Sequence, residues 1–148
     1  MGERQYLLLH PAASGEGAVK PTVLYIEDNE QNLYLVTFLL RSNGYGVLQA
    51  REGQEGIAMA ARHQPDLILL DIQLPGMDGY SVARRLKRTS QAARAPIVAL
   101  TSYALAGDRE KALESGCSGY IEKPIDPDTF LAQIEKHLEG CVPGGGAT

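Results

Sequence analysis

The sequence predicts an open, doubly wound α/β sheet: five parallel strands, each followed by a helix. Three observations carry this. Five short apolar runs recur along the chain, and their hydrophobicity is continuous rather than alternating, as in strands covered on both faces. Helical patterns with capping residues lie between them. Four of the five runs end in a residue suited to phosphate or metal chemistry. In an open α/β sheet ligands bind outside the carboxyl ends of the strands.

The runs are Val23–Ile26, Val47–Ala50, Leu67–Leu70, Ile97–Leu100 and Gly119–Ile121. After the first, Asn29 is placed to cap a helix with Leu33, Val36, Leu39 and Leu40 on one face, closing near Asn43-Gly44. The second helix is expected over Gln54 to His63, stopped by Pro65. Asp78 caps a third, with Val82, Ala83 and Leu86 inward. The fourth is expected over Asp108 to Ser115, closed by Gly116. Asp126 and Pro127 start the fifth, which carries Phe130, Leu131, Ile134 and Leu138.

At 148 residues the chain is long enough for one domain with its own core. Hydrophobic content of 44% and charged content of 22% are ordinary for a soluble globular protein. A net charge of −4 does not suggest wholesale nucleic-acid binding. Cys117 and Cys141 form no CxxC or Cys/His cluster, which argues against zinc and fits a reducing, cytosolic setting. No stretch approaches the length of a membrane span, and the Tyr6–Leu9 run is too short for a signal peptide. Residues 1–20 read as a flexible segment, 21–139 as the ordered domain and 140–148 as a disordered Gly-rich tail.

Glu27 and Asp28 follow the first run, Asp71 the third and Thr101 the fourth; Lys123 lies just after the fifth. If the strands are ordered 2-1-3-4-5, all of these line one edge in a single patch. Three carboxylates at close range repel, and a hard cation relieves the repulsion. Mg²⁺ takes a few carboxylate oxygens and completes its octahedron with water. Asp71 then has a second use as a nucleophile, since a carboxylate accepts a phosphoryl group as a mixed anhydride. Mg²⁺ and the Lys123 ammonium would neutralise the phosphoryl oxygens, and the Thr101 hydroxyl would donate to one of them. The plainer alternatives are a solvated turn at Glu27-Asp28, an ordinary strand-end Asp71 and a surface Lys123.

The constellation resembles the receiver domain of two-component response regulators, the CheY-like superfamily. The matching pieces are "IED" at 26–28, "LLDIQLPGMDGY" at 69–80, "VALTSYA" at 98–104 and "GYIEKPI" at 119–125. The resemblance covers about Pro21 to Glu139 and implies a flavodoxin-like (βα)5 sandwich with strand order 2-1-3-4-5. It implies Asp71 as phosphoacceptor, Asp28 as a direct Mg²⁺ ligand and Glu27 in the other acidic position, where Asp is commoner. It implies the Gln73 backbone carbonyl as a further ligand, Thr101 and Tyr120 as a switch pair, and Lys123 as the phosphate-binding lysine. A cis peptide is expected at Lys123-Pro124. Tyr103 and Gln73 fall where the family tunes phosphoryl lifetime.

The implied function is a signalling switch rather than a turnover enzyme. A histidine kinase or histidine phosphotransfer protein donates the phosphoryl group, and a downstream protein reads the face made by the fourth helix, fifth strand and fifth helix. A receiver excised from a hybrid kinase or larger regulator is the alternative. An aspartyl-phosphate hydrolase of haloacid-dehalogenase type needs a second acid two residues after the nucleophile, where this chain has Gln73. An unphosphorylated scaffold is disfavoured by the presence of Asp28, Asp71, Thr101 and Lys123. Tyr120 by residue type alone reads as core. The basic stretch Arg84, Arg85, Lys87, Arg88 and Arg94 reads as a solvated helix face. His10, His63 and His137 lie outside the constellation.

Overall fold

The computed structural model describes residues 20–89, 94–102 and 106–139. The expectations for the N-terminal segment, except at Lys20, and for Tyr103 and the 140–148 tail lie outside these residues.

Five strands alternate with five helices in the described chain. They are β1 (Thr22–Ile26), α1 (Glu30–Ser42), β2 (Gly46–Ala50), α2 (Gly53–His63), β3 (Leu67–Asp71), α3 (Gly79–Arg88), β4 (Ile97–Thr101), α4 (Ala106–Glu114), β5 (Gly119–Glu122) and α5 (Pro127–Glu139). The strands are parallel and ordered β2-β1-β3-β4-β5. This is the doubly wound arrangement expected from the alternation of apolar runs and helices.

Strand alternation divides the apolar runs between two cores. On one side Leu24, Ile26, Ile68, Leu70, Ile97 and Ala99 pack against Ala60 of α2, Val82, Ala83 and Leu86 of α3, and Ala112 of α4. On the other, Val23, Tyr25, Leu67, Leu69, Val98 and Leu100 pack against α1 and α5. Both faces are covered, which is why the runs show no polar alternation.

Local chemistry sets the helix ends. The Asn29 side chain accepts from the Asn32 N–H, and Asp78 accepts from the Ser81 N–H. Helix α2 begins one residue before the expected start and ends on Gln64 in the left-handed conformation (φ 52°), immediately before Pro65. Helix α4 begins two residues earlier than expected and gives way to Gly116 at φ 106°.

The strands extend past their apolar runs into the polar residues that follow. Asp71 and Thr101 are the last residues of β3 and β4, because the backbone ladder continues: the Ile72 N–H donates to the Leu100 carbonyl at 3.1 Å. The chain leaving β3 then returns closely to α3. A Cβ on Gly79 would lie 2.5 Å from the Ile72 Cα, so only glycine fits there. No helix among the described residues is long and apolar enough to cross a membrane.

Candidate functional site

Strand order brings β1, β3, β4 and β5 side by side, and their carboxyl ends converge on one acidic patch. Glu27 leaves β1 and is 1% exposed, while Asp71 at the end of β3 is 2% exposed. Asp28 is exposed at the mouth. One carboxylate oxygen from each of Glu27, Asp28 and Asp71 lies within 4.8 Å of the others. Such a hard, all-oxygen donor set fits Mg²⁺ with water filling the remaining positions.

Lys123 compensates the two buried acids. Its Nζ lies 3.2 Å from Asp71 Oδ1 and 3.3 Å from Glu27 Oε1. The Lys123 backbone is anchored in turn, its N–H donating to the Thr101 carbonyl at 2.8 Å. The following Lys123-Pro124 bond is cis. Asp71 Oδ1 also accepts from the Gln73 N–H at 3.0 Å.

Glu27 is held at both oxygens. Oε1 accepts from the Tyr25 hydroxyl at 2.9 Å, and Oε2 accepts from the Asn29 N–H at 3.2 Å. Tyr25 was legible only as part of an apolar run. The period-2 rule would have found it, since Tyr25 and Glu27 are two residues apart on one strand face. Burial, followed by the Glu27 charge, pushes the Tyr25 phenol well above its ordinary value, so it remains a hydrogen-bond donor.

Thr101 is buried at the end of β4. Tyr120 is half-buried on β5 and is the register partner of Ala99, two residues before Thr101. Ala99 and Tyr120 contribute to the same core, so Thr101 and Tyr120 share a sheet face. The Arg109 guanidinium of α4 lies 6.0 Å from the Tyr120 ring centroid.

The structure thus gathers Glu27, Asp28, Asp71 and Lys123 into one cluster and places Thr101 and Tyr120 beside it on adjacent strands. His63 on α2 and His137 on α5 stand apart from the patch. Arg84, Arg85, Arg88 and Arg94 are exposed, as expected of a solvated face; Lys87 is half-buried, its Nζ donating to the Ala95 carbonyl at 3.3 Å.

Residues 23–135 match the model of the response regulator receiver domain. The chain belongs to this family. It is 39% identical over 117 residues to the polar-differentiation response regulator DivK of Brucella anthropi, covering 79% of this chain and 95% of the relative. The receiver domain of the sensor histidine kinase PA1611 from Pseudomonas aeruginosa superposes with a TM-score of 0.75 at 35% identity. That match covers 81% of this chain and 98% of the PA1611 domain, whose crystal structure has a magnesium ion coordinated in the active site cleft. The chemotaxis protein CheY4 of Vibrio cholerae superposes with a TM-score of 0.77 at 27% identity, over 80% of this chain and 98% of CheY4. The receiver fold and the two-component signalling class expected from the motifs are therefore those of this chain.

Burial is the largest influence on the Asp71 carboxyl, and Glu27 beside it acts in the same direction. The Gln73 N–H and the Lys123 ammonium oppose them, and the balance raises the carboxyl from 3.8 to about 6. A carboxyl raised on folding holds its proton longer in the native state, so native stability falls as pH climbs between those values. In EDTA, Asp71→Asn is expected to gain on the wild type by on the order of 2 kcal/mol as pH rises from about 4 to about 7. Urea unfolding across that range measures it, and a pH-independent difference between the two proteins would refute it.

Proposed function

We propose that this receiver is a phosphorylation-controlled switch, with Asp71 as the phosphoacceptor. The observation that carries the reading is Lys123 Nζ lying between Asp71 and Glu27, at a strand-end cluster of three carboxylates. Glu27, Asp28 and Asp71, together with the Gln73 backbone carbonyl, would hold Mg²⁺. When bound, that ion supplies charge neutralisation for the transferring phosphoryl oxygens.

The chain's own residues supply positioning. An Asp71 carboxylate oxygen forms the new bond to phosphorus. The phosphorus–nitrogen bond of a phosphohistidine donor breaks, and the imidazole leaves with the bonding electron pair. The donor is a histidine kinase or a histidine phosphotransfer protein. Burial pushes the Asp71 carboxyl up, so its oxygens are more basic than those of an ordinary aspartate. Lys123 stands 3.2 Å from the attacking group, placed to pair with the arriving phosphoryl oxygens.

Readout runs through Thr101 and Tyr120. The Thr101 hydroxyl donates to an oxygen of the Asp71 phosphate and moves inward, and the Tyr120 ring follows into the space beside it. This biases the surface made by α4, β5 and α5, which a downstream protein reads. Their common sheet face and adjacent strands support this coupling. The similarity to DivK, a polar-differentiation response regulator, and to CheY4, a chemotaxis protein, also supports a signalling role.

Two outcomes test the reading. Incubation with acetyl phosphate and Mg²⁺ is expected to add one hydroxylamine-labile phosphoryl group. EDTA or Asp71→Asn abolishes it, and Asp28→Ala lowers its rate by about tenfold or more. Undiminished labelling of Asp71→Asn, read by mass spectrometry, would overturn the assignment. Thr101→Ala is expected to be phosphorylated yet to lose most of an about ten- to hundredfold gain in affinity for a downstream partner. Titration of phosphorylated wild type and variant against that partner decides it, and an undiminished gain in Thr101→Ala would refute the coupling.

A further inference from the structure

We infer that Tyr25 is a positioning residue for the acidic site: its hydroxyl fixes the rotamer of Glu27 so that this longer carboxylate serves where the family more often places aspartate. The inference rests on the metal reading given above.

Tyr25 lies on β1, an interior strand between β2 and β3, and is 0% exposed. A hydroxyl there must find a partner or leave a buried donor unsatisfied. It donates to Glu27 Oε1 at 2.9 Å, and the same oxygen faces Lys123 Nζ at 3.3 Å. The Asn29 N–H takes the opposite oxygen at 3.2 Å. A glutamate has one more rotatable bond than an aspartate and more rotamer freedom to lose. Tyr25, Lys123 and Asn29 together hold its carboxylate at both oxygens, and Tyr25 does so from beneath, within the core.

The geometry couples the two side chains specifically. They sit two residues apart on the same strand face, so a side chain as long as tyrosine spans the step to the carboxylate. Aspartate at position 27 would retract the carboxylate by about one carbon–carbon bond, ~1.5 Å, out of reach of the Tyr25 hydroxyl. Tyr25 and Glu27 therefore act as a pair. A tyrosine that merely fills the core would affect stability without regard to which acid stands at 27.

The test is a double-mutant cycle on the full chain, with Mg²⁺ affinity read by titration calorimetry and folding of each protein checked by thermal melting in EDTA. Tyr25→Phe is expected to weaken Mg²⁺ binding about tenfold, as the loss of an outer partner of a ligating carboxylate does. In the Glu27→Asp background the same substitution is expected to change Mg²⁺ affinity by less than about twofold. An equal loss in both backgrounds, or unchanged affinity in Tyr25→Phe alone, overturns the inference. If the wild-type chain binds no Mg²⁺, the metal reading fails and this inference falls with it.

Discussion

The ammonium group of Lys123 lies between two carboxylates that the fold removes from water. Glu27 and Asp71 are each at most 2% exposed, and burial of a carboxylate costs several kcal/mol unless it is paired. At 3.2 and 3.3 Å, each attraction to Lys123 is on the order of 5 kcal/mol at an effective dielectric of 20. Two attractions offset desolvation and one mutual repulsion, but they do not neutralise the patch. With Asp28 added, three carboxylates and one ammonium leave a formal charge of −2 when all are ionised. A divalent cation matches that remainder.

Several features of the fold hold this cluster in place. The sheet order sets β1 beside β3, β3 beside β4 and β4 beside β5, so four strand ends meet. The apolar runs behind them pack on both faces of the sheet. The Thr101 carbonyl receives the Lys123 N–H, so the lysine is registered to the strand that carries the threonine. Gly79 lets α3 close against Ile72, the residue after Asp71. On the function proposed above, a phosphoryl group transferred to Asp71 meets a preformed set of charges rather than assembling one.

Much of this was legible in the amino-acid sequence. Continuous apolar runs flanked by Asn29, Asp78 and Asp126-Pro127 gave the alternation of strand and helix, because capping and two-sided burial are local signals. The carboxylates and Lys123 stood out because each interrupts or follows an apolar run. What periodicity alone left open was pairing: strand order came from the family resemblance, and the ladder carries β3 into Asp71. The left-handed Gln64 was missed, since glutamine carries no αL signal of its own. Tyr25 was hidden for a different reason. Its ring satisfies the apolar pattern, and only the atom at its tip, which touches Glu27, belongs to the site.

Lys123 is the compensating charge of the cluster, and one measurement tests that directly: the unfolding free energy of Lys123→Met at neutral pH in EDTA, alone and combined with Asp71→Asn. Methionine keeps much of the packing and removes the ammonium, leaving Glu27 and Asp71 buried without a cationic partner. The expected loss is about 3 kcal/mol in the single variant, part of it restored once Asp71 is made neutral, since Glu27 stays buried without its cationic partner. Wild-type stability in Lys123→Met, or a loss that Asp71→Asn fails to relieve, would contradict it.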